Sequence, residues 1–208
     1  MPTIEQARPY YAGADPVHDF AHILRVLALA ERIARAEGAD LEIVRAAVLL
    51  HDAAGAAPGE RAGHHEAAAE FARGVLEAEG WPGERVEAVL HAIRAHRFRG
   101  TEAPRSLEAK ILFDADKLDV LGAIGAARTV AFAALAGQPL TGEVSERFRA
   151  TGEKEPGEPH TPYHEFVFKL AKIKDRLHTP TARAIAAERH AYLTGFFERL
   201  GREVKGEL

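Results

Sequence analysis

The 208-residue chain contains no cysteine, a single methionine and a single tryptophan. Without a thiol there is no disulfide, no thiolate nucleophile and no sulfur-ligated metal site, and the composition suits a reducing, cytoplasmic setting. No apolar run approaches the roughly 20 residues that a membrane-spanning helix needs. Met1-Pro2-Thr3-Ile4-Glu5 also lacks the cationic-then-apolar order of a secretory leader. Positive charge is not in surplus either: the formal net charge is −4. Nucleic acid is therefore disfavoured as a general partner, and a phosphate-bearing ligand would need a local basic pocket or a bound cation. Alternating strand patterns and fixed-period repeats are missing, which removes the β classes and the solenoids.

What remains is helix. The chain is 47% hydrophobic and 28% charged, ordinary for a globular protein and long enough for one domain with a substantial core. Asp15-Pro16 signals a helix start, Phe20, Ile23, Leu24, Leu27 and Ile33 share a face, and Gly38 ends it. Asp40 caps a helix running to about residue 52. A Gly- and Pro-containing loop over 53–63 precedes a helix over 64–79, another over 86–98 and one from the Ser106 cap to residue 121. Residues 126–136 continue after a bend at Gly122 and Gly125, 137–162 read as an irregular surface excursion, and helices over 166–177 and 181–200 close the chain. These last helices pack on the core or against a partner, so a homo-oligomer is compatible with the pattern. The expectation is an all-α, single-domain helical bundle with its core in 15–136 and its C-terminal helices, within 163–200, in the same domain.

Chemistry concentrates where apolar runs meet polar residues. Val48-Leu49-Leu50 ends abruptly in His51-Asp52. His22 lies among apolar neighbours, and a buried imidazole needs a partner; His18 is four residues away on the same face, as ligand or as cap. Asp116 is four residues from both Leu112 and Val120, so its carboxylate lies along an apolar stripe. Ionised there, it costs several kcal/mol unless an arginine or a cation pairs with it. Two His and two Asp form a mixed nitrogen and oxygen set, open to manganese, magnesium, iron, cobalt or nickel, with positions left for water and substrate. No Ser or Cys arrangement offers a nucleophile dyad instead.

The order His22, His51-Asp52, Asp116 resembles the HD-domain superfamily of metal-dependent phosphohydrolases. The segments His18-Asp19-Phe20, His22-Ile23-Leu24-Arg25-Val26, Ala46 to Asp52, Ser106 to Leu112, Asp114 to Asp119 and Leu121 to Thr129 are similar to one bacterial subgroup, as are His164-Glu165-Phe166, Lys169-Leu170 and Arg189. The likeness runs from about residue 15 to 200. It implies an all-α fold, one divalent metal ion held by His22, His51, Asp52 and Asp116, and activity on phosphate esters or anhydrides, some relatives being nucleoside triphosphate pyrophosphohydrolases. The sequence departs from the subgroup after the His-Asp pair. Where relatives often place a charged residue, Ala53-Ala54-Gly55-Ala56-Ala57 is blank, leaving Glu60 nearest. Lys117 stands where arginine is common, keeping the charge without the bidentate fork.

The expected function is hydrolysis of a nucleotide or another small phosphorylated metabolite by metal-activated water, as a phosphatase or nucleotide pyrophosphohydrolase. Asp52 is both ligand and proton acceptor; Arg25, His96, Lys117 and Arg128 are candidates to neutralise phosphate. Arg25 shares a face with His22, and Arg128, among small residues, wants an anion. His96 is either a pocket residue or a core histidine. His64 would serve a second ion, His91 reads as solvated, and His160, His164 and His178 read as surface or capping residues. Other readings are a non-catalytic metal- or nucleotide-binding module, favoured by the blank loop, and an RNA phosphodiesterase.

Overall fold

The computed structural model describes residues 2–12, 19–53, 63–97 and 102–208. Among them there is helix and no strand, so the all-α expectation holds. His18, Glu60 and the start expected at Asp15-Pro16 lie outside the described residues. The chain divides into two compact units, residues 1–116 with 178–182, and residues 117–177 with 183–208.

The first unit comprises α1 (Ile4–Ala7), α2 (Phe20–Glu37), α3 (Leu41–Leu50), α4 (His64–Ala78), α5 (Gly83–Ala95) and most of α6 (Leu107–Leu118). Asp19 begins α2 by accepting the His22 amide, and Gly38, at φ +76°, ends it in the left-handed region where a side chain is strained. The α3 helix is apolar almost all round, with Ile43, Val44 and residues 46–50 buried, as a helix packed on several sides must be. Both α2 and α5 pack on it. Ile23, Val26, Ala30 and Ile33 of α2 bury their stripe, as do Val89, Leu90 and Ile93 of α5 and Ile111 and Leu112 of α6.

Polar caps fix where these helices begin. Asp40 accepts the Glu42 and Ile43 amides at 3.0 and 3.2 Å and is gripped by Arg85 of α5 at 2.8 Å. Its own N–H donates to Glu108 of α6 at 3.1 Å, so Glu108 reaches a neighbouring helix start. With the starts of α3, α5 and α6 tied together, the opposite end of α3 delivers His51-Asp52 at a fixed place.

One carboxylate of α6 is wholly structural. Asp114 is buried and accepts the His178 and Thr179 amides at 2.8 and 2.7 Å and the Thr179 hydroxyl at 2.7 Å. Thr179 in turn caps α10 (Pro180–Val204). Burial pushes the Asp114 carboxyl above the usual range, with the donors opposing.

The second unit holds α7 (Gly122–Leu135), α8 (Glu146–Thr151), α9 (Pro162–Phe168), a 3-10 helix (Leu170–Arg176) and α10 from residue 183. The segment 137–162, expected to be irregular, contains α8, and the expected α-helix over 166–177 is part α-helix and part 3-10 helix. Phe166 and Phe197 stack at 4.6 Å within its core. The reading of His164 as a surface or capping residue is half corrected: it caps α9 together with Thr161, but it is fully buried. Its Nδ1 accepts the Thr161 amide at 3.2 Å, and its Nε2 donates to Glu158 at 2.9 Å. Glu158 also accepts the Ser145 amide and hydroxyl and the Glu155 amide. The aromatic and Gly/Pro-poor stretches were readable from period; this knot was not, because its partners are set by a folded loop.

Two outcomes follow. Replacing Asp114 by alanine orphans the half-buried His178 amide and the buried amide and hydroxyl of Thr179, and urea unfolding should show a loss of about 3 kcal/mol or more. Glu158 is held down to about 2, chiefly by the Ser145 amide. Because its folded value is depressed, its stabilisation is complete above the ordinary glutamate range and is lost as pH falls from about 4.5 towards 2. Stability of Glu158→Gln should therefore depend less steeply on pH across that window than the wild type's.

Candidate metal centre

Six side chains of the first unit meet at the C-terminal ends of α3 and α5. His51 is the C-terminal cap residue of α3, and its Nδ1 lies 2.8 Å from the Val48 carbonyl, three residues back. A carbonyl only accepts, so this ring nitrogen carries the proton and Nε2 presents its lone pair. His96 caps α5 in the same way, its Nδ1 donating to the Ile93 carbonyl. Both rings are buried. The two helices thus spend one nitrogen of each histidine on their own last turn and aim the other at Asp52.

The distances describe a cluster around that carboxylate. Asp52 Oδ2 lies 3.7 Å from His51 Nε2, and its Oδ1 lies 3.6 Å from His64 Nε2 and 3.7 Å from His96 Nε2. Asp116 Oδ1 is 3.5 Å from His22 Nε2. These gaps are too long for hydrogen bonds. They approach the separation of neighbouring corners around a cation whose ligands sit about 2.1 Å away, roughly 3–3.5 Å. The ligand atoms of His22, His51 and Asp52 all lie within 4.8 Å of one another, and so do those of Asp52, His64 and His96. His51 Nε2 is buried and has no hydrogen-bond partner; in a packed interior such an atom is rare and points to a ligand. The residues fit a divalent cation.

Charge agrees with geometry. Burial raises the Asp52 carboxyl and Asp116 adds to that, but the imidazoles of His51, His96 and His22 outweigh both and hold it well below the ordinary aspartate range. Asp52 is common to both triplets, so the cluster would offer ligands to a second ion where one was expected.

Of the four expected ligands, all belong to this cluster: three form one triplet, and Asp116 approaches it through His22. His64 and His96 form the second triplet with Asp52. Arg25 is half-buried on α2, one turn beyond His22. Lys117 and Arg128 belong to the second unit, where Arg128 forms an ion pair with the buried Asp119, the anion its small-residue surroundings called for. His91 is not solvated as expected: it is 2.6 Å from Glu102 and accepts the Arg105 amide at 3.0 Å. Tyr11 was missed altogether; its hydroxyl reaches the last turn of α3, donating to the Leu49 carbonyl at 2.9 Å.

The HD-domain family profile matches residues 19–121, the span that carries all six cluster residues. YpgQ of Bacillus subtilis is 32% identical over 193 residues, which is 91% of this chain and 85% of the relative. The chain belongs to the HD-domain family. Among solved structures, Bacillus subtilis YpgQ in complex with ADP gives a TM-score of 0.75 at 30% identity, covering 98% of this chain and 99% of that one. An HD-superfamily hydrolase from Bacillus thuringiensis gives 0.70 at 30% identity over 97% and 96%. In this HD-type protein no single helix among the described residues is long and apolar enough to cross a membrane.

The arrangement makes metal uptake measurable without any substrate. Manganese should raise the thermal unfolding midpoint of the wild-type protein by mass action. Asp52→Ala, which breaks both triplets, should abolish that rise; His64→Ala should keep it while lowering the manganese content found by elemental analysis at saturation.

Proposed function

We propose that the protein is a divalent-metal-dependent phosphohydrolase acting on a nucleotide. The observation that carries this reading is the buried, partnerless Nε2 of His51 set beside Asp52 in a ring of imidazole nitrogens. His22, His51, Asp52 and Asp116 would hold the ion, with His64 and His96 available to a second. A bound divalent cation supplies two things there, acidification of water and polarisation of a phosphoryl oxygen.

The chain's own residues supply the rest. Asp52, shared by both triplets, serves as charge and ligand and as a proton acceptor beside the bound ion. His64 and His96, both against its Oδ1, are further proton carriers where only one ion is bound. Arg25 and His96, in the same unit as the cluster, are the candidate partners for phosphate oxygens. The nucleotide class is supported by the ADP found with YpgQ, whose fold this chain shares over nearly its whole length.

The decisive assay offers nucleoside di- and triphosphates with manganese, magnesium, cobalt or nickel and follows release of phosphate and pyrophosphate. Hydrolysis should fall on the order of 1,000-fold in Asp52→Ala. Full activity in that variant, or silence of the wild type with every metal, would overturn the enzyme reading. Silence together with nucleotide binding would leave a regulatory module, and turnover confined to oligonucleotides would mark an RNA phosphodiesterase.

A further inference from the structure

Residues 2–12 would be dismissed as a tail, yet they are tightly organised. Thr3 and Gln6 form a capping box at the start of α1, Pro9 starts the 3-10 helix Arg8–Tyr11, and Ala7 and Tyr11 are buried. Tyr11 then touches both elements that carry the first metal triplet. Its ring meets that of Phe20, two residues before His22, at 5.5 Å. Its hydroxyl donates to the Leu49 carbonyl at 2.9 Å, three residues before Asp52.

A helix ending in a dry interior leaves its last carbonyls without partners. In α3 the Val48 carbonyl takes the His51 ring and the Leu50 carbonyl takes the Ala53 amide at 3.1 Å. Leu49 is left to Tyr11. The phenol therefore satisfies the carbonyl three residues before Asp52 and ties down the last turn from which the ligand residue projects. We propose that Tyr11 is a positioning residue for the metal centre: its hydroxyl sets the orientation of Asp52 and so the affinity and geometry of the bound ion. The inference rests on the metal-centre reading above.

Tyr11→Phe deletes only the hydroxyl. Tyr10→Phe is the control, because Tyr10 meets Phe71 by ring contact alone at 4.8 Å. Tyr11→Phe should bind manganese about 10–100-fold more weakly and shift the visible bands of the cobalt-loaded protein, with kcat falling more than KM changes. Tyr10→Phe should match the wild type in all three. A Tyr11→Phe protein whose metal-free melting point drops while manganese affinity and cobalt bands stay unchanged would show a merely structural hydroxyl and overturn the proposal. If Tyr11→Phe does not fold, 3-fluorotyrosine at position 11 changes the hydroxyl's acidity at nearly constant shape; unmoved cobalt bands would overturn the proposal equally. Failure of the wild type to bind any cation would instead sink the metal-centre reading, and the proposal with it.

Discussion

Much of this molecule depends on where α3 stops. The helix ends inside the core, and a buried helix end must find partners for its last carbonyls. Glycine in the left-handed region is the usual answer, as at Gly38. At the end of α3 the chain uses side chains and a tight turn instead: an imidazole, a phenol and the Ala53 amide each take one carbonyl. That choice has a chemical by-product. Once Nδ1 of His51 is committed to Val48, its tautomer is fixed and Nε2 becomes a lone pair aimed away from the helix. A structural requirement of the backbone thus makes a ligand.

The repetition at α5 makes coincidence a poor explanation. His96 ends its helix with the same three-residue return to a carbonyl, and its Nε2 also faces Asp52. Two carboxylates, Asp52 and Asp116, are close enough for each to disfavour the other's charge, and the imidazoles around them bring ring nitrogens to the same point. Excess negative charge lined with lone pairs is an unfavourable interior for the empty protein and a favourable one for a divalent ion.

How much of this was legible depended on whether a residue's partner was close in sequence. His51-Asp52 stood out because the apolar run before it leaves no doubt that the pair sits at a helix end. Asp116 stood out because its stripe is apolar at four residues on either side, and Arg128 because a small-residue helix cannot solvate a guanidinium. Asp40 and Gly38 were read as helix punctuation from local rules alone. Asp114 lies in the same apolar stretch as Asp116 and went unmarked, since its donors come from residues 178 and 179, more than 60 positions away. Tyr11 failed for the same reason, with Leu49 38 residues distant. His91 was misjudged because Glu102, the group that covers it, lies 11 residues further along the chain. Periodicity reports which face a residue takes; it is silent about what the fold brings to that face.

Burial by itself does not separate a structural histidine from a chemical one, and this chain holds a clear pair. His51 and His164 are both fully buried. His164 has both nitrogens occupied, one accepting at the start of α9 and one donating to Glu158, so any new bond it made would break an old one. His51 has one nitrogen occupied and one not. Deleting the first ring removes a knot that the second unit is folded around; deleting the second removes an atom whose hydrogen-bonding capacity the fold leaves unused. A buried polar atom left in that condition lowers stability, and a bound cation would complete it.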